Sequence, residues 1–178
     1  MSVWLISIAF TGCATWQIPP DGELLFSYRV TEGAFTGVPK HDIGTYFYWD
    51  KSSGAITGYR ARAGKRTVIV RGGSVDSQLL LRKISEIGFE PFDYDQEARN
   101  IETLNREKLR TVTRVITVDG ASFEIKFVFN GNVFSMTRPN PRHDIDFYAL
   151  YSPKMAKLKA LIDAFAQETG NGIFNTMN

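Results

Sequence analysis

Residues 122–129 read SFEIKFVF, and apolar and polar positions alternate: Phe123, Ile125, Phe127 and Phe129 fall on one side, Glu124 and Lys126 on the other. A period of two is that of a strand with one buried and one wetter face. Asn130-Gly131 follows, a dipeptide that supplies the positive φ of a tight hairpin turn, and residues 132–138 (NVFSMTR) return as the partner strand. Residues 110–118 (RTVTRVITV), joined through Asp119-Gly120, are expected to make this a three-stranded meander. Earlier in the chain, residues 23–30, 43–49, 55–62 and 66–71 are rich in aromatic and β-branched residues and bounded by Gly, Pro, Asp or Ser, so they also read as strands.

Elsewhere the period changes. Leu80, Ile84 and Ile87 fall at i, i+4 and i+7, which places them on one helical face, with Gly88 as the stop. Residues 95–109 read as a second, mostly exposed helix with interleaved charges. The strongest helix opens at Ser152-Pro153, with Ser as N-cap and Pro in the first turn. Met155, Leu158, Ile162 and Phe165 form its apolar stripe, and Gly170 ends it. Strands, helix, strands, helix describe an α+β domain: a largely antiparallel sheet with amphipathic helices packed on one face.

Composition bounds what such a domain can be. A chain of 178 residues, 43% hydrophobic, is long enough for one substantial core and too short for two large domains. The net charge of +2 gives no whole-molecule field for nucleic acid, so no nucleic-acid partner is expected. A single cysteine excludes a disulfide framework within the chain and any multi-cysteine zinc cluster. No G-x-S-x-G, HExxH, Walker or G-x-G-x-x-G pattern occurs, and no cofactor is expected.

The cysteine closes the stretch MSVWLISIAFTGC, in which residues 3–10 are almost wholly apolar and uncharged. That run is too short to span a bilayer and has the length of a signal-peptide core. IAFTGC resembles the lipobox of bacterial lipoproteins. The resemblance covers only about the first 13 residues. It implies cleavage before Cys13, diacylglycerol on its sulfur and acylation of the new amino terminus. Residues 1–12 would then be a signal peptide, 13–22 the lipidated cysteine and a tether containing Pro19-Pro20, 23–170 one α+β domain, and 171–178 a tail. Two or more acyl chains anchor stably, so the membrane would be a partner without any spanning helix. Ala14 after the cysteine resembles the outer-membrane sorting pattern, which implies a cell-envelope location, on the periplasmic side of the outer membrane in a cell with two membranes. The alternative is that this stretch packs as a buried strand or helix of a cytosolic binding module, with Cys13 as a core thiol.

Both histidines sit in near copies, PKHDIGTYFYW at 39–49 and PRHDIDFYALY at 141–151. His41 precedes a strand followed by two more strands, whereas His143 is expected to precede a strand leading into the final helix, so the copies do not mark a duplication. Proline, a base and His-Asp ahead of an apolar run read as the start of a strand. The alternative is a hydrolase in which His41, Asp42, His143, Asp144 and Asp146 converge for proton transfer or on a divalent metal. Adjacent His and Asp on a strand point to opposite faces, so no metal site is expected. Asp93 and Asp95 read as loop acids rather than a glycosidase pair.

One charge cluster remains. Between residues 59 and 71, Arg60, Arg62, Lys65, Arg66 and Arg71 occur without an acid, on a hairpin turning near Gly64. Arg60 and Arg62 share a strand face and suit an anionic headgroup or an acidic protein; the alternative is a solvated edge whose charges discourage aggregation. A weaker cluster, Lys154, Lys157 and Lys159, lies towards the N-terminal end of the last helix, against the preference of the helix dipole. A binding or structural role in the envelope is the leading expectation.

Overall fold

Strand β1 (Gly22–Glu32) is the longest strand and lies inside the sheet. This computed structural model describes residues 22–32, 43–62, 65–71, 74–106, 122–139 and 141–169. From β1 the chain meanders outward through β2 (Gly44–Asp50), β3 (Ile56–Arg62) and β4 (Lys65–Arg71). Helices α1 (Ser74–Ile87) and α2 (Tyr94–Leu104) follow. The hairpin of β5 (Ser122–Phe129) and β6 (Asn132–Pro139) then adds to the other edge of β1. Every pairing is antiparallel, and the order is β4-β3-β2-β1-β5-β6. Asn130 (φ 49°) and Gly131 (φ 79°) make the left-handed turn that joins β5 to β6. The neighbour on the other edge of β5 is β1, which corrects the meander expected from residues 110–118; that segment lies outside the described residues.

The alternation read in β5 holds: Phe123, Ile125 and Phe127 are buried with Phe26, Tyr28 and Val30 of β1, and Phe134 and Met136 of β6 extend the same face. Helix α4 (Pro153–Glu168) lies on that face. Its Phe165 ring stacks on Phe26 at 4.4 Å and touches Phe47 at 5.0 Å and Phe127 at 6.4 Å, so one side chain ties three strands together. Ser152 caps the helix by accepting from the Met155 amide, with Pro153 in the first turn, as the sequence predicts. Ile84 and Leu80 of α1 join the core, and the Ser77 hydroxyl accepts from the amide of Ile56 to pin α1 to β3. Gly88 ends α1 at φ 58°. Helix α2 stops at Leu104 with Asn105 as its cap, short of the 109 expected. Helix α4 stops at Glu168 with Thr169 as cap, and Gly170 lies outside the described residues.

One expected strand is a helix. Residues Pro141–Tyr148 form α3, so His143 opens no strand. The buried residues Pro141, Ile145 and Tyr148 are spaced by four and three, the helical period, and Arg142 pairs with Asp146 one turn on. Pro141 stands at the first helical position, where its fixed φ favours a helix start; the same proline had suggested a strand boundary.

Candidate functional site

Along β3 the helix-facing positions change character in four steps. Ile56 is buried under α1, Gly58 packs against Phe47 and Val70, Arg60 is half-buried and Arg62 is exposed. Gly58 fits tightly there, since a Cβ would lie 3.0 Å from Phe47 and 3.1 Å from Val70 and would press on both. Arg62 pairs with Lys65 and Ala61 with Arg66, so the four basic residues gather at the hairpin end of β3 and β4. Strand β4 is the last in the order, and among the described residues it has one sheet neighbour. The hairpin expected near Gly64 is therefore present, and Arg60 and Arg62 share a face as the alternation predicted.

The second charged region lies beneath α3 and α4. Arg142 donates from Nε to Asp146 Oδ2 at 2.9 Å and from Nη1 to Asp163 Oδ1 at 2.5 Å. Lys159 closes the ring, at 2.5 Å from Asp163 Oδ2 and 3.5 Å from Asp146 Oδ1. Burial pushes the Asp163 carboxyl up, but the hydrogen bonds and charges of Lys159 and Arg142 outweigh it and hold it below the usual carboxylate range. Arg142 is pulled down by burial and raised further by Asp163 and Asp146. Burial raises the Tyr28 phenol beneath, against the opposing charge of Arg142. This set of two bases and two acids joins α3 to α4.

A cleft of about 220 Å³ separates α2 from the end of β6 and α3. Arg138 pairs there with Asp95 and lies 5.5 Å from the Tyr94 ring centre, and the Tyr148 hydroxyl donates to Glu102. Nearby, Glu97 accepts from the Ser152 hydroxyl at 2.6 Å. The carboxylates of α2 thus hold its neighbours in place. Asp93 caps α2 by accepting from the Gln96 amide at 2.9 Å, so neither Asp93 nor Asp95 is a bare loop acid.

Of the His-Asp candidates, Asp144 lines this cleft and Asp146 belongs to the ring beneath α3. The His143 side chain is 49% exposed, with Nδ1 3.8 Å from Asp144 Oδ1, beyond hydrogen-bonding distance. His41, Asp42 and Cys13 lie outside the described residues. Among the described residues no group of three or more His, Cys, Asp or Glu side chains is placed to hold a metal ion, and no helix is long and apolar enough to cross a membrane. No protein-family model, no curated protein and no solved structure matches this chain.

Proposed function

We propose that this chain is a lipid-anchored domain of the cell envelope, held through Cys13, whose β3–β4 hairpin meets anionic headgroups at the membrane surface. The observation that carries the reading is the gathering of Arg60, Arg62, Lys65 and Arg66 at the hairpin end of the two outermost strands, with Arg62 paired to Lys65, in a chain whose first described strand starts close to the lipobox-like cysteine. The eight residues 14–21 separate Cys13 from the start of β1. Fully extended, such a tether reaches about 30 Å, which keeps the domain within a few Debye lengths of the bilayer. Each Lys or Arg near an anionic leaflet contributes about 1 kcal/mol, so a four-base hairpin would add a second attachment to the acyl chains.

The test is co-flotation of the Cys13→Ser protein, which lacks the anchor, with vesicles containing phosphatidylglycerol. Binding should be salt-sensitive and should fall on the order of 100-fold when Arg62, Lys65 and Arg66 are all changed to Glu. Equal flotation of the two proteins contradicts the headgroup reading. Capture of an acidic protein by the unaltered hairpin, with no flotation, would reassign the surface to a protein partner.

A further inference from the structure

A cavity lies towards the opposite edge of the sheet, beside β6. The loop between α1 and α2 carries Phe89 and Phe92, whose rings meet Phe134 of β6 at 5.3 and 5.4 Å. Phe89 also meets Phe127 at 5.7 Å. Both phenylalanines are only partly buried. Above them the first turns of α4 present Lys154 and Lys157, three residues apart and so on one helical face. Phe89, Pro91 and Phe92 with these two lysines and Glu90 line a cavity of about 160 Å³.

We infer that this cavity binds a small organic monoanion with an apolar body, its body on Phe89 and Phe92 and its anionic head between Lys154 and Lys157. The lining sets the sign: two ammonium groups and one carboxylate, Glu90, line the cavity, while Glu97, the acid beside Lys154, does not line it. The ammonium groups have capacity left. Lys157 gives one of its three donors to the Gly88 carbonyl at 3.0 Å, and Lys154 stands 3.5 Å from Glu97, a longer contact. Both lysines oppose the dipole of α4, a penalty that a bound anion relieves. Size sets the class, because 160 Å³ falls below the ~300 Å³ at which drug-sized pockets begin. A phenyl or short alkyl carboxylate fits; a nucleotide does not. The inference stands independently of the anchor and the hairpin, since Phe134 is on β6 and the hairpin closes the other end of the strand order.

The experiment is an NMR titration of the isotope-labelled full-length chain with phenylacetate, octanoate, acetate and benzylamine. Phenylacetate or octanoate should give saturable shifts at Phe89, Phe92, Lys154 and Lys157, at least about tenfold tighter than acetate or benzylamine. Whichever of the two binds more tightly identifies the source, an aryl acid or a fatty acyl chain. Lys154→Gln and Lys157→Gln should each weaken binding about fivefold. Lys154→Gln leaves the Lys157 contact with Gly88 in place, and unchanged amide shifts of residues 88–97 in the ligand-free variant show that its loss of binding does not come from a released loop. No saturation below about 10 mM, or acetate or benzylamine binding as tightly as phenylacetate, overturns the site.

Discussion

The two ends of the sheet obey different rules. At the β5–β6 end the helix-facing positions Phe123, Ile125, Phe127, Phe134 and Met136 are all buried. At the β3 end the same face runs Ile56, Gly58, Arg60 and Arg62, and burial is lost by the last of these. The first half is held by area removed from water, whereas towards the tip of the second the helix-facing positions turn charged and strand pairing takes a larger share. Stability should therefore concentrate under α4, and charge on the hairpin should be changeable without unfolding the domain.

The sharpest way to break that contrast is Phe165→Ala. The ring contacts Phe26, Phe47 and Phe127 and is fully buried, so its removal should cost about 3–5 kcal/mol in denaturant unfolding. A loss below about 1 kcal/mol would mean that α4 is not the keystone. Next comes Asp163→Asn, which removes one of the two carboxylates that Arg142 and Lys159 share and leaves Asp146. The ring is about one-third exposed, between the surface and buried limits, so about 1–2 kcal/mol is expected. Because the Asp163 carboxyl is held below its ordinary value, its contribution is present at neutral pH and fades as pH falls into the acid range; the Asn variant should lose that dependence.

At the other end, Arg62→Glu should change stability by no more than about 0.5 kcal/mol, because Arg62 is exposed at the strand tip. A cost like that of Asp163→Asn would erase the distinction between the two ends. The smallest effect concerns Asp50, which holds the β2–β3 turn by accepting from the hydroxyls and amides of Ser53 and Ser52. Those hydrogen bonds lower its carboxyl from 3.8 to about 2. Its contribution is complete above 3.8 and is lost as pH falls through about 2. Asp50→Asn should remove a slight acid-side slope in the turn's amide exchange and leave neutral behaviour unchanged.

The same contrast shows what the sequence can disclose. Periodicity found β5, β6, α1 and α4 because each buries one face, and the stripe Met155, Leu158, Ile162 and Phe165 is all core. Pairing of β1 with β5 was not legible, since nothing local specifies a partner ninety-odd residues away. Helix α3 was misread because proline, histidine and aspartate mark a helix start as readily as a strand start, and the spacing of Pro141, Ile145 and Tyr148 decides it only once burial is known. Among candidate site residues, the charge of the β3–β4 hairpin was legible as an acid-free run. The cavity floored by Phe89 and Phe92 was not legible, because both lie in an aperiodic loop; of its lining, the sequence singled out Lys154 and Lys157.

The central claim is attachment through Cys13, and the most direct measurement is the intact mass of the protein extracted from bacterial membranes, beside its Cys13→Ser variant. The account predicts a wild-type mass lacking residues 1–12 and carrying diacylglycerol and an amide-linked acyl chain, with the variant unmodified. Full-length, unmodified wild-type protein in the soluble fraction would contradict it and return Cys13 to the interior of a cytosolic domain.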